Sequence, residues 1–585
     1  MNLVHLYCHV GLGLPALLLS CTPPGSESST GAASSITARD EGDHDGGRNG
    51  DRDRDDGSRV GLTGVASATA KSPGVAAPNA LSPELIAVVA AQGANRVENP
   101  MVLPIGDPAV SVTHYGYDSD GPLIPAPGDG PSATHRVEAT KTEPDKNTYL
   151  VLRHQTGADP GYDYGTHFLF QGHENGARGA GTITRINLDA DAAHRVTVMA
   201  VADIHGAALP LIDGSTWDPF AQRLLFTSES GRAGGVWQAT LDVPSAVENV
   251  SGALGRGGFE EITNDSEGNV WVIEDVGGAK GTVNRNARQP NSFVYRFVPV
   301  DPRDLHRGKL QALQVISLRS GQPIAFHAGQ ADADILSDDV GDLHSYGKVF
   351  ETRWVTLHDT EVDGAAPFDA NALAKARLAT PFKRPENGAF RPGSGFREFV
   401  FDETGDTDLR TEAGARFGGF GAILALTQRS PGADRGTLRL VFRCDPAHTG
   451  LDNVSFWDDD HVVFVEDAGD TLHAQRNALD SAYLFDLRVD YSDPAHQPLR
   501  ILAEGRDPSA TMDSGFAGAA GFQNDGDNEI TGFHISDGDP TARGILGAKQ
   551  LQALHRGFRV FFTQQHGDNP TWELLRRPEP DRDDD

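Results

Sequence analysis

Two seventeen-residue stretches of this chain lie on one another without a gap, Phe259-Glu-Glu-Ile-Thr-Asn-Asp-Ser-Glu-Gly-Asn-Val-Trp-Val-Ile-Glu-Asp275 and Leu451-Asp-Asn-Val-Ser-Phe-Trp-Asp-Asp-Asp-His-Val-Val-Phe-Val-Glu-Asp467. In each, an acid (Glu260, Asp452) stands 14 residues before another (Glu274, Glu466). Each copy reads as strand, polar turn, strand and acidic end, with Gly277 or Gly469 just beyond. Looser copies keep the plan: Thr216-Trp217 leads to Leu224-Leu-Phe-Thr-Ser-Glu-Ser-Gly231, Arg384-Pro-Glu386 to Phe399-Val-Phe-Asp-Glu-Thr-Gly405, and Glu529-Ile-Thr-Gly532 to Phe561-Phe-Thr-Gln-Gln-His-Gly567. A repeated supersecondary unit cannot bury its apolar face alone, so the copies must stack. Strand-turn-strand units recurring at such intervals fit an all-β β-propeller with inserted loops and short helices. The innermost strands of a propeller line a central channel, where acids at equivalent strand ends converge. Converging carboxylates repel one another unless cations neutralise them. This favours Glu260, Glu386, Asp452 and Glu529 as metal ligands. The plain alternative, acids that populate turns, is the reading of Asp458-Asp-Asp460.

Short runs elsewhere agree with strands. Thr166-His-Phe-Leu-Phe-Gln171, Val270-Trp-Val-Ile273, Phe293-Val-Tyr-Arg-Phe-Val298, Val462-Val-Phe-Val465 and Phe558-Arg-Val-Phe-Phe-Thr563 are mostly aromatic or β-branched, with Gly, Asp or Asn close by. Helical patterns are brief, near Pro83 to Gln92, Ala370 to Leu378 and Ala548 to Arg556. In Arg384-Pro-Glu386 the proline restrains its predecessor towards extended geometry, which places Arg384 and Glu386 on one face. A guanidinium suits an oxyanion and a carboxylate suits a hard cation; a surface ion pair is the alternative.

The 82 Asp and Glu outnumber the 50 Lys and Arg, for a formal net charge of -32. Such a chain has nothing to neutralise a phosphate backbone, so nucleic acid is excluded as a partner. Three cysteines (Cys8, Cys21 and Cys444) rule out a disulfide framework and a cysteine-rich zinc module. Val10 to Leu19 is an apolar run too short to span a bilayer, and Leu18-Leu-Ser-Cys21 after it resembles a lipobox. The chain therefore divides into a lipoprotein-type signal segment (1–21), a disordered acidic, Ser- and Gly-rich tether (22–94), a propeller (95–577) and an acidic tail (578–585). Export is expected, with the protein lipid-anchored at Cys21 to a bacterial envelope or secreted, and monomeric.

The order of motifs resembles the PhoX-type bacterial alkaline phosphatases. Gly172-His-Glu174 is similar to that family's Asn-His-Glu element, and Thr216-Trp217 with Leu225-Phe-Thr-Ser-Glu229 to its Thr-Pro-Trp-Gly-Thr-Trp-Leu-Thr-Cys-Glu segment. Tyr295-Arg-Phe297, Gly308-Lys-Leu310, Trp354-Val-Thr-Leu357, Arg384-Pro-Glu386, Asp452-Asn453, Glu529-Ile-Thr-Gly532 and Gln565-His566 follow in the family's order. The resemblance implies six blades, iron and calcium ions in the channel, and hydrolysis of phosphate monoesters there. It implies Glu174, Glu229, Glu386 and Glu529 as metal ligands, Glu260, Glu261 and Asp452 as further calcium ligands, and Arg384 as the phosphate-binding arginine. Ser228 stands where the family has an iron-ligating cysteine, and a neutral hydroxyl replaces a thiolate poorly. Calcium is therefore expected, and iron is in doubt. His173 and His566 are candidates for protonating the leaving group, against ordinary strand-end histidines. Two other functions stay open: a calcium-stabilised propeller that binds without catalysing, and a calcium-only hydrolase of the phytase or lactonase kind.

Overall fold

Alternating apolar strands dictate blades, and six of them close a ring. The computed structural model describes residues 60–65, 78–119, 140–505, 529–565 and 569–578. Blade 1 is built from Pro144–Val151, His167–His173, Ile183–Asn187 and Val196–Ala200. Blade 2 follows with Ser215–Asp218, Arg223–Ser228, Gly235–Ala239 and Val247–Asn249. The inner strands of blades 3 to 6 are Phe259–Asn264, Gly388–Phe390, Leu451–Phe456 and Ile530–Ser536. Each of the six inner strands neighbours the next, and the last neighbours the first. Every blade is an antiparallel meander running outward in chain order, apart from the outermost strands of blades 5 and 6. Blades 3 and 4 are further joined by Val349–Asp359, which pairs with Asp304–Val315 on one side and Arg435–Arg443 on the other.

The ring is closed by chain from before residue 95. Leu85–Ala91 pairs with Thr571–Arg576 as the outermost strand of blade 6, and Ala80–Leu81 adds a fifth strand to blade 5. Val60 and Leu62 join the same core. The expected tether thus ends earlier than 94, and the helix expected near Pro83 to Gln92 is a strand. Its Ile86, Val88 and Val89 are β-branched and find a partner strand that local pattern cannot reveal. The helix expected at Ala548 to Arg556 is absent as well, since Leu554 and Arg556 take left-handed φ of 64° and 52°. Ala370–Ala376 is helical, with the Asp369 carboxylate accepting from the Ala372 N–H at its start.

The core lies between blades. Trp271 packs edge-on against Trp354 and Phe390 between blades 3 and 4, with centroids 5.1 and 5.0 Å apart. His461–Glu466, the second strand of blade 5, is buried on both faces. Each fully buried Val, Leu or Phe side chain contributes about 1.5–3 kcal/mol, which holds the blade walls rigid around the channel. An extra sheet of Arg96–Val102, Ser111–His114, Tyr117–Ser119 and Thr140–Lys141 precedes blade 1.

The export segment with Cys8 and Cys21, the Asp-Arg-rich stretch up to residue 59, His566 and the end of the chain from 579 lie outside the described residues. No described helix is long and apolar enough to cross a membrane.

Candidate metal centre

Four of the six inner strands carry a β-bulge at their channel end. In blade 1 the register steps from Pro144–His173 to Asn147–Gln171 and leaves Asp145 and Lys146 between. Blade 3 steps past Glu260, blade 5 past Asp452 and Asn453, and blade 6 past Gly532 and Phe533. A bulge adds a residue to one strand and re-aims its side chains. Gly532 must be glycine, because its φ is 59° and a Cβ would stand 2.5 Å from the Asp145 carbonyl oxygen. Asp213, Glu386 and Glu529 sit just before the inner strands of blades 2, 4 and 6, while Glu174 and Glu229 directly follow the second strands of blades 1 and 2.

These positions bring seven carboxylates into one row. Asp145, Asp213 and Glu260 form one group, Glu174, Asp213 and Glu229 a second, and Glu260, Glu386 and Asp452 a third, with ligand atoms in each within 4.8 Å of one another. Asp213 and Glu260 belong to two groups each, so the three are linked. Asp145, Asp213, Glu260, Glu386 and Asp452 are buried, Glu174 is half-buried, and Glu229 is exposed. The seven thus form one linked cluster that is buried except at Glu174 and Glu229.

Burial, and then the neighbouring charges, push Asp213, Glu260, Glu386 and Asp452 well above the usual carboxylate range. Glu386 and Asp452 act on Glu260, Glu260 and Asp145 on Asp213, and Asp275 on Glu386. Glu174 is pushed up to about 8 by burial and by Asp145. Glu529 rises through burial and the charges of Asp467 and Glu174. Glu229 rises too, through desolvation and the charges of Asp275 and Glu174, with Arg384 opposing them.

Two side-chain cations reach the row. Lys146 forms an ion pair with Glu261 and donates to Asn387 Oδ1. Arg384 grips Asp275 through Nε and Nη2, at 2.9 and 2.6 Å, and its Nη2 lies 3.2 Å from Glu386. Arg384 has φ of 55°, so it is not in the extended geometry expected before a proline. Arg384 and Glu386 meet because the turn folds back, not because they share a strand face.

Of the residues singled out in the sequence, Glu174, Glu229, Glu260, Glu386 and Asp452 come together. Glu529 lies near them electrostatically. Glu261 does not join a group, since Lys146 claims it. Ser228 is buried, with its hydroxyl donating to Ser230 Oγ at 3.1 Å. His173 is a wall residue: it is buried, each ring nitrogen is 2.8 Å from a hydroxyl (Thr142 and Thr184), and burial lowers its pKa to about 3. With both nitrogens engaged in the wall, the reading of His173 as an ordinary strand-end histidine is the one its surroundings favour. Asp145, Asp213, Asp275 and Lys146 were missed. The acid–glycine step Asp213-Gly214 was the available signal, since a Cβ on Gly214 would lie 2.1 Å from the Glu260 carbonyl oxygen.

No protein-family model matches the chain, and no curated protein resembles it significantly. Among solved structures it is similar to Pseudomonas fluorescens PhoX in complex with vanadate, a transition state analogue, with a TM-score of 0.50 and 11% identity over 88% of this chain and 98% of that one. The fold is PhoX-like. TolB from Acinetobacter baumannii (TM-score 0.28, 10% identity, 69% of this chain and 62% of that one) and a calcium structure of a Trichoderma reesei family AA12 carbohydrate-active enzyme (TM-score 0.28, 9% identity, 86% and 98%) are too distant to add to this.

Within the PhoX-like fold the three groups offer carboxylate oxygens alone, the donor set of a hard cation such as calcium. Cys444 is no substitute for the soft ligand. It lies buried in the apolar core of blades 4 and 5, where burial pushes its thiol well up.

Proposed function

We propose that this chain is a PhoX-type, metal-dependent phosphatase that hydrolyses phosphate monoesters at a calcium centre in the propeller channel. The observation that carries the reading is the linked cluster of seven carboxylates, with Arg384 beside Glu386. So many buried acids with so few side-chain cations are a destabilising arrangement unless ions neutralise them. The likeness to a PhoX solved with vanadate supports the choice of phosphate.

Asp145, Asp213, Glu174, Glu229, Glu260, Glu386 and Asp452 would hold the ions, with Glu529 alongside. When bound, hard cations polarise the phosphoryl group and offset the charge developing on the leaving oxygen. Asp275 fixes the plane of the Arg384 guanidinium, and the Nη1 donors outside those bonds are what Arg384 offers an anionic oxygen. Exposed Glu229 marks the side from which a small ester enters. The all-carboxylate donor set and the engaged Ser228 hydroxyl favour calcium over iron. The same observation favours, as a second reading, a calcium-only hydrolase of another ester, such as phytate or a lactone. Export, with or without a lipid at Cys21, a monomeric state and the absence of a nucleic-acid partner belong to this proposal.

The test is hydrolysis of p-nitrophenyl phosphate by the purified chain, with calcium added or chelated, and elemental analysis of the protein. Wild type should turn over only with calcium. Glu386→Gln and Arg384→Ala should each be inactive with melting temperatures close to wild type in calcium. Wild-type-like turnover by either variant removes this site, and activity on phytate or a lactone but not on monoesters selects the second reading.

A further inference from the structure

Lys146 does not fit a row of metal-ligating acids, and it is placed with care. The blade 1 bulge that aims Asp145 at the acids also turns out the next residue. The Lys146 side chain reaches from blade 1 across to blades 3 and 4. There its Nζ pairs with Glu261 and donates to Asn387 Oδ1. Asn387 passes the contact on, its Nδ2 donating to Asp452 Oδ1 at 3.0 Å. Asp452 and Glu386 form one of the three carboxylate groups with Glu260, the acid immediately before Glu261. Lys146, Glu261 and Asn387 are 6%, 5% and 1% exposed, so this side of the carboxylate cluster is shut off from solvent.

A buried carboxylate needs a counter-charge. Glu261, like Glu529, joins none of the three groups, and it is the one held by Lys146. A lysine ammonium is a compact, tethered point charge.

We propose that Lys146 is a built-in cation that takes the place of a further divalent ion in the buried part of the channel beside Asp452, so that it sets how many ions the carboxylate cluster accepts. The proposal rests on the reading of the channel as a cation site. It predicts that removing the ammonium frees Glu261 and Asn387 Oδ1, beside Asp452, as ligands for one more ion.

The experiment counts calcium per full-length chain by elemental analysis after equilibration in calcium and removal of free ion. It compares wild type with Lys146→Met, Lys146→Arg and the double variant Lys146→Met/Glu261→Gln. The expected result is a gain of one calcium in Lys146→Met, with the wild-type number in the other two, where the positive charge is kept or the negative one removed. An unchanged count in folded Lys146→Met overturns the proposal, while calcium in wild type leaves the functional reading standing. Should wild type hold no calcium and Lys146→Met gain one, the functional reading falls and the role of Lys146 stands; no calcium in either overturns both. If Lys146→Met folds only when calcium is supplied, that rescue supports the proposal, and a variant that stays unfolded in calcium overturns it.

Discussion

Blades 3 and 5 start from the same seventeen-residue pattern, take the same bulge, and then meet different neighbours. Phe259 pairs with Glu274 as Leu451 pairs with Glu466, and in both copies the register shifts directly afterwards. Glu260, in blade 3, belongs to two carboxylate groups, whereas Asp452, its counterpart in blade 5, belongs to one. The residues that follow differ as well. Glu261 is claimed by Lys146, while Asn453 donates to Asp452 and accepts from the Gly532 N–H of blade 6 at 2.7 Å. The second-strand acids diverge most. Glu466 holds Arg476 at 2.6 Å, whereas Glu274 accepts only neutral donors, from Tyr295 at 2.8 Å and Asn371 at 3.0 Å. One pattern thus yields a charged pair in one blade and a neutral network in the other. In these two blades the inner-strand acid serves the channel and the second-strand acid serves its own blade, whereas in blades 1 and 2 the acids that follow the second strands, Glu174 and Glu229, join the channel groups.

The largest effect should come from breaking the charged pair. Arg476→Ala leaves Glu466 buried without a counter-charge and should cost about 3–5 kcal/mol in urea unfolding; a loss of less than 1 kcal/mol would show that the two copies are equivalent after all. Next comes the inner strand. Glu260→Gln should weaken calcium binding by about 100-fold or more and Asp452→Asn by about tenfold, since even outer-shell partners of a metal are worth roughly 10–100-fold. Calorimetric titration checks the ranking, and equal losses would erase the distinction between two groups and one.

The third prediction is a pH dependence. Glu274 is pushed up to about 8 by burial, against the lowering effect of Tyr295 and Asn371. An acid whose folded pKa is raised contributes stability that is full below its unfolded value, near 4.5, and lost as pH rises through about 8. Stability should therefore fall by about 1.4 kcal/mol per pH unit from this group between those limits, and Glu274→Gln should flatten that part of the slope in denaturant titrations of calcium-free protein. A slope untouched by the substitution would place the titrating group elsewhere. The smallest effect is that of Tyr295→Phe, which removes one hydrogen bond to Glu274 and should cost about 1 kcal/mol. A cost as large as that of Arg476→Ala would mean that Glu274 is ionised in the folded protein.

Much of the site was legible because the repeat is. Glu260 and Asp452 stood at equivalent positions in two aligned copies, and Glu386 and Glu529 opened looser ones, so their convergence followed from closure of a ring. Asp213 and Asp145 were not legible in that way. Asp213 lies outside the strand that follows it, and Asp145 opens a blade whose first two strands are separated by a long insertion, so neither keeps the spacing of the repeat. Lys146 could not be read at all, because its partners are far away in sequence on blades 3 and 4.

The sequence by itself determined the blades: a strand-turn-strand pattern with apolar faces has to stack, and its acids travel with it. It also determined the excess of negative charge, which no arrangement of these residues removes. Tertiary structure alone decided which acids meet. Leu85–Ala91 completes the sixth blade, the bulges turn particular side chains inward, and contacts between residues distant in sequence assign Glu261 to a lysine and Glu260 to its neighbouring carboxylates. The physical reason is range: strand pattern is fixed by neighbours two residues away, while electrostatic partnership acts through space and depends on which strands the fold brings side by side.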